Sequence, residues 1–207
     1  IKNPPPDPME LPLFPLDMVL LPHRRVPLHI FEERYKQMIG ECLDNDTEFG
    51  LVWGTDDDFN DIGCAARVVG LLNRFPDGRM NILIEGTRRF RVIQQYDIHP
   101  YISGFVKDVE DDDEAFDIAL GNRAKKLYSE AMKLSSGWIS PQIPTLELGT
   151  LSYILASNLT LSLDEQQALL ESTSPNERLK TVSNALEKSL ATLREVKRRT
   201  RGNGHLL

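Results

Sequence analysis

The apolar positions of this chain follow a β pattern before residues 108–114, interrupted by one helical stretch, and a helical pattern after them. The opening Leu11-Pro12-Leu13-Phe14-Pro15-Leu16 is apolar, extended and broken by two prolines. Each proline removes a backbone donor, so the segment predicts an edge strand or a barrel-closing strand. Past Pro27-Leu28-His29-Ile30 the pattern turns helical. Phe31, Tyr35, Met38, Ile39, Cys42 and Leu43 recur at helical spacing with charged residues between them. Asp44-Asn45-Asp46 ends that helix.

From Glu48 to Val109 the pattern is β. Residues 49–53, 67–73, 80–85, 88–96 and 101–109 read as short strands. Phe75-Pro76-Asp77-Gly78-Arg79 predicts a hairpin turn, because proline presets φ and glycine accepts a positive φ. Gly86-Thr87 reads as a second tight corner. Short strands with turn signals and no helices between them predict a small antiparallel barrel or sandwich. The run 108–114 holds six acidic residues in seven positions. Like charges in a block repel and stay exposed, so it reads as a solvated linker and a domain boundary.

The remainder is helical. Phe116, Leu120, Ala124, Leu127, Ala131 and Leu134 form one apolar stripe. Thr145 is placed to cap a helix carrying Leu148, Leu151, Leu155 and Leu159. Ser162-Leu163-Asp164-Glu165 is a capping box for the helix with Leu169 and Leu170. Ser174-Pro175-Asn176-Glu177 is another, with proline at the first helical position. Leu179, Val182, Leu186, Leu190 and Leu193 give the last helix a bundle-type seam. Gly202 and Gly204 stop it. The expected layout is a proline-rich leader (1–10), a β-barrel subdomain (11–114) and a helical subdomain (115–207).

Composition narrows the function classes. A net charge of -7 over 207 residues argues against a generic nucleic-acid binder, whose phosphate contacts need a basic surface. No apolar run approaches the roughly 20 residues that span a bilayer, and no signal-peptide pattern opens the chain. The two cysteines, Cys42 and Cys64, are too few for a disulfide framework. They read as small buried hydrophobes, which fits a cytoplasmic location.

The search for catalysis returns little. Phosphate-binding and dinucleotide-binding glycine loops, an H-E-x-x-H pair and a G-x-S-x-G elbow are all missing from the sequence. His23, His29, His99 and His205 stand apart from one another and from the cysteines, so neither a metal nor a cofactor is expected. Two features suit binding instead. Leu13, Phe14, Leu20 and Leu21 form a candidate peptide-binding surface, set against the alternative that they simply close the barrel. Arg194, Lys197, Arg198 and Arg201 form a candidate partner-docking basic face, set against a solvated helix end matched to its dipole.

These blocks together resemble one family, the Lon N-terminal (substrate-binding) domain, in its stand-alone short form. The likeness runs through Leu11-Pro12-Leu13-Phe14-Pro15-Leu16 with Val19-Leu20-Leu21-Pro22, and through Pro27-Leu28-His29-Ile30-Phe31-Glu32-Glu33-Arg34-Tyr35. It continues in Ile62-Gly63-Cys64-Ala65-Ala66, Asp77-Gly78-Arg79 and Gly86-Thr87-Arg88-Arg89-Phe90-Arg91-Val92. It ends in Leu161-Ser162, Gln167-Ala168-Leu169-Leu170-Glu171 and Asn176-Glu177-Arg178-Leu179. The resemblance implies an α+β fold: a PUA-like antiparallel β pseudo-barrel with one inserted helix, then a C-terminal helical bundle. It also implies a non-catalytic protein-recognition and peptide-recognition domain acting in protein quality control. Its partners would be unfolded or tagged polypeptide segments, with a larger protease or ligase complex beyond them. Membrane and nucleic acid are not expected partners. Two alternatives are a structural adaptor on such an assembly and an excised N-terminal fragment of a full Lon protease. The ATPase and Ser–Lys peptidase that follow this domain in Lon proteases have no motif here, so their activities do not carry over.

Overall fold

In a computed structural model, residues 8–136 and 147–202 are described. They divide into two units. The first holds the chain to Glu110 together with Ser162–Glu171, and the second holds Asp111–Leu161 and the residues from Ser172 onward.

The first unit is built on six strands: β1 (Met9–Leu16), β2 (Arg25–Ile30), β3 (Phe49–Trp53), β4 (Ile62–Arg74), β5 (Met80–Tyr96) and β6 (Ser103–Asp108), with helix α1 (Glu33–Asn45) between β2 and β3. Their order is β2-β5-β4-β3-β1-β6, and β5 also pairs with β6. Following the pairs β5-β4-β3-β1-β6-β5 closes a ring, which removes most of the free edges a flat sheet would leave. Strand β1 does the closing. Residues 9–12 run antiparallel to β6, and residues 13–16 run parallel to β3. Each proline of β1 therefore lies in a half with one partner, where a missing donor can face the unpaired side. The β1–β3 pair corrects the expectation of an all-antiparallel barrel. The α1 crossover between them is long enough to bring the chain back in the same direction.

Side chains alternate across β1. Leu11 and Leu13 enter an interior cluster with Val52, Ala65, Phe90 and Val106. Phe14 points the other way, its ring 4.0 Å from that of Tyr35 on α1. Tyr35, Met38, Ile39 and Cys42 are the buried face of α1. Asp46 ends the helix in the left-handed conformation, its N–H returning to the Cys42 carbonyl. Phe31 precedes the helix and is 60% exposed, so it is not part of the apolar stripe.

Strand boundaries differ from expectation: β4 begins at Ile62 and not at 67, β6 spans Ser103–Asp108, and the strands at 80–85 and 88–96 are one. Residues 80–96 form one continuous strand, so Gly86-Thr87 is not a corner. Gly86 is instead a close approach: a Cβ there would lie 2.4 Å from the Leu21 carbonyl oxygen. The register against β4 slips beside it, between Cys64 and Ala66. The strand bends at a glycine without ending.

Helix α4 (Leu163–Glu171) belongs with the first unit and not with the helical half of the sequence. Its capping box forms in both directions: the Ser162 N–H donates to Glu165 Oε2 at 2.8 Å, and the Glu165 N–H to Ser162 Oγ at 3.2 Å. Buried Arg89 donates to the Leu170 carbonyl at 3.0 Å, and buried Gln167 to the Ile62 carbonyl at 3.1 Å. Side chains of a strand and a helix thus satisfy each other's spare backbone acceptors.

The second unit is helical: α2 (Ile118–Ser136), α3 (Leu148–Ala156) and α5 (Pro175–Gly202). Leu179, Val182, Leu186 and Leu190 are buried along α5. The α2 stripe starts at Leu120, since Phe116 precedes the helix and is exposed. The expected cap at Thr145 lies outside the described residues. The acidic run is not a free linker. Asp111 takes both guanidinium nitrogens of Arg178 at 2.6 Å, and Asp112 accepts from Thr173 Oγ1 at 2.8 Å. Glu114 accepts from the Asn176 N–H and from Ser174 Oγ at the start of α5. Three charges of the run, at Asp111, Asp112 and Glu114, are thus given donors, which a count of acidic residues does not reveal.

Candidate functional site

The four apolar residues expected at a peptide surface are interior. Leu13, Leu20 and Leu21 are at most 1% exposed and Phe14 is 5% exposed. Leu13 and Phe14 are core because β1 closes the ring and both its faces are covered, and Leu20 and Leu21 are buried in the connection that follows. Of the basic residues, Arg194 pairs with Glu130 on α2, and Arg198 pairs with Glu195 one turn back. Lys197 is exposed. It lies with Leu134, Arg194 and Arg198 around a shallow groove of 300 Å³. The Arg201 side chain lies outside the described residues.

A different surface collects exposed apolar groups. Strand β4 meets β3 only over residues 64–66, so its second half projects past the ring. There β2, β5 and β4 form a three-stranded ribbon. Buried Met80, Ile82 and Ile84 set its inner face. Because side chains alternate along a strand, Asn81, Leu83 and Glu85 set the outer one. The cross-strand partners of those three on β2 are His29, Pro27 and Arg25. On β4 they are Asn73, Gly70 and Arg67.

Two bulges alter what this outer face displays. The β4–β5 register slips between Val68 and Gly70 and between Leu71 and Asn73, leaving Val69 and Leu72 as the extra residues. Both are exposed, Leu72 by 60%. A Cβ placed on Gly70 would lie 3.6 Å from Leu83 Cβ and 3.9 Å from Leu72 Cδ2. Gly70 is therefore a shallow notch between two leucines. At one end of the strip His29 stacks on Phe31 with ring centres 5.9 Å apart and meets the Phe75 ring edge-on at 6.3 Å. The Arg79 guanidinium covers Phe75 at 5.2 Å. His29 Nδ1 is held by Asn81 Oδ1 at 2.6 Å, which fixes the imidazole plane between the phenyl rings. Pro27, Leu72, Leu83, Phe31 and Phe75 thus share one solvent-facing strip. Soluble proteins expose contiguous apolar patches chiefly where something binds.

Sequence reasoning passed over this strip. The apolar residues of 68–72 read as a strand, and their exposure depends on bulges that no periodicity displays. The doublets Val68-Val69 and Leu71-Leu72 were the available signal, since a half-buried strand should alternate. Reactive chemistry is scarce. Cys42 and Cys64 are buried, and burial pushes both thiols up, away from the thiolate form. Among the described residues no cluster of His, Cys, Asp and Glu is arranged to hold a metal ion. No helix among them is long and apolar enough to cross a membrane.

Comparison with known proteins agrees with this architecture. The Lon N-terminal domain protein from Xanthomonas campestris superposes with a TM-score of 0.66 at 29% identity, covering 84% of this chain and 96% of that one. The N-terminal domain of the Mycobacterium avium complex Lon protease superposes at 0.70 over 86% of this chain and 98% of that one; at 18% identity it speaks for the fold alone. Among curated sequences, Lon protease of Dictyoglomus thermophilum is 28% identical over 203 residues. That of Escherichia coli K12 is 27% identical over 206 residues. These alignments take in 90% and 92% of this chain but only 25% and 26% of the relatives, so the chain spans about a quarter of their length. The model of the ATP-dependent protease La (LON) substrate-binding domain matches residues 10–188, nearly all of both units, and the chain belongs to that family.

Proposed function

We propose that this chain is a non-catalytic recognition module for polypeptide, and that its binding face is the outer side of the β2–β5–β4 ribbon. The ligand class is an extended, unfolded segment bearing apolar side chains. One observation carries the reading: Leu72 and Phe31, each 60% exposed, sit on one strip with Pro27, Leu83 and Phe75. An unfolded segment offers the apolar surface that such a strip can cover, and its backbone can lie along the ribbon. The name of the matched family, a protease La substrate-binding domain, supports the same reading. We read the closed ring as a PUA-like pseudo-barrel and the second unit as a helical bundle, the whole serving protein quality control beside a larger protease.

The test is a fluorescence-anisotropy titration with an unstructured peptide rich in Leu and Phe and with a folded control. Covering one leucine contributes about 1.5–3 kcal/mol, so Leu72→Asp should weaken the peptide by roughly tenfold or more. Phe31→Ala should act in the same direction. Both residues are exposed, so the far-UV spectrum should stay as it is. Equal affinity for peptide and folded control, or variants that bind like the parent, would sink the reading.

A structural-adaptor reading rests on the groove at Leu134, Arg194, Lys197 and Arg198, whose apolar floor and cationic rim suit an acidic partner. Reversing the charge of Lys197 and Arg198 should release such a partner, and retention would count against it.

A further inference from the structure

Beside the apolar strip lies a cleft of 680 Å³, between the first turn of α1 and the turn joining β4 to β5. By register Arg74 shares the inner face with Met80, so a chain lying on the outer strip reaches the cleft by turning over the end of the ribbon at Phe75, which lines both. Three cations line it: Arg34, Lys36 and Arg74.

Their partners differ. Arg34 bonds Glu32 and Asp56. Lys36 Nζ lies 2.6 Å from Glu33 Oε1 and 2.9 Å from the Asp77 carbonyl oxygen. Arg74 is exposed, and its Nη2 lies 3.7 Å from the sulfur of Met80. A thioether is a weak acceptor, and it leaves most of a guanidinium's donors unspent. The carboxylates of Glu33 and Asp77 also line the cleft but pair with Lys36 and Arg79, and among the described residues Arg74 is the cation of this cleft with no ion pair. A guanidinium is a planar fork that matches a carboxylate with two parallel bonds.

We propose that this cleft is a carboxylate subsite of the polypeptide-binding face, with Arg74 as the residue that selects a segment carrying a carboxylate next to its apolar residues. The subsite rests on the recognition reading above. The apolar strip supplies the sequence-tolerant part of binding, and Arg74 adds a charge preference at one end. Either an Asp or Glu side chain or a chain's terminal carboxylate has the required chemistry.

Three versions of one apolar peptide separate the possibilities on the full 207-residue chain. The first has a C-terminal amide and an internal Gln, the second replaces that Gln by Glu, and the third keeps Gln with a free C-terminus. Anisotropy titrations should show one or both carboxylate peptides binding about fivefold tighter than the neutral one, the upper end for an exposed ion pair. Which of the two gains identifies the source of the carboxylate. Arg74→Gln should erase that gain and leave the neutral peptide within about twofold of its former affinity, while Arg74→Lys should keep part of it. Equal binding of all three peptides to the parent chain would overturn the subsite while leaving the recognition face standing. So would an Arg74→Gln variant that keeps the preference, or one that weakens all three alike. Failure of every peptide to bind the parent chain would overturn the recognition face and the subsite together.

Discussion

Replacing Arg178 with Ala tests how the second unit is held together. Arg178 is fully buried. Its guanidinium makes two bonds of 2.6 Å to Asp111, one of 3.0 Å to Ser152 Oγ and one of 2.8 Å to the Ser172 carbonyl. It also lies 4.5 Å from the centre of the Tyr153 ring. Alanine removes all of these at once and leaves a cavity lined by groups that have lost their donor. Removing one member of a buried ion pair costs about 3–5 kcal/mol, most of it from the partner left uncompensated. Asp111 is still 32% exposed at its side chain, so water recovers part of that loss, and the lower end, about 3 kcal/mol, is the expected value. Against a total stability of about 5–15 kcal/mol this is a large fraction. Urea unfolding followed by circular dichroism should show an earlier midpoint, and amide exchange should quicken in α3 and the first turns of α5. Asp111→Ala made in the Arg178→Ala background should cost far less than in the parent, because the two act as one unit. A loss under about 1 kcal/mol for Arg178→Ala, or additive costs in the double variant, would refute this account.

Further outcomes follow from the barrel and from the acidic run. Gly50→Ala places a Cβ 2.6 Å from Phe90 Cζ and 3.0 Å from Leu13 Cδ2, both fully buried, so overpacking should cost about 1–3 kcal/mol in a thermal or urea melt. A variant as stable as the parent would show that the ring interior is loosely filled. The Asn176 N–H, with Ser174 Oγ, holds the Glu114 carboxyl below its ordinary value of 4.5. A lowered carboxyl pKa contributes stability that is complete above the ordinary value and is lost as pH falls through the folded one. The parent should therefore lose stability more steeply than Glu114→Gln below about pH 4.5, and parallel pH profiles would contradict this.

Local signals in the sequence were legible wherever one short stretch decides its own structure. The Ser162 capping box, the proline that opens α5 and the hairpin at Asp77-Gly78 need only neighbouring residues, and each stands as expected. The strand at Phe49–Trp53 follows from a short apolar run and the seam of α5 from its period. What could not be read depends on partners far along the chain. The return of α4 to the sheet relies on Arg89, 81 positions away from Leu170. The docking of the acidic run relies on Arg178, 67 positions from Asp111. Burial of Leu13 and Phe14 follows from ring closure, which couples the first strand to the last.

Ring closure also explains why the candidate surface lies where it does. A residue inside the ring cannot change without disturbing packing: Gly50 and Gly63 already sit against Phe90 with no room for a Cβ, and Gly104 sits tightly against Leu13. The ribbon beyond the ring has no such constraint on its outer side. A Cβ at Gly70 there would make only ordinary van der Waals contacts, and Leu72 and Phe31 are each 60% exposed. The ribbon's inner face is buried at Met80, Ile82 and Ile84, which leaves its outer face to present apolar groups that a core would otherwise claim. The two bulges on β4 then have a double effect. They turn Val69 and Leu72 outward, and they break the regular spacing of the free edge, which disfavours pairing with a second copy of the same strand. A face that is apolar yet poorly matched to itself suits transient capture of unrelated segments better than self-association.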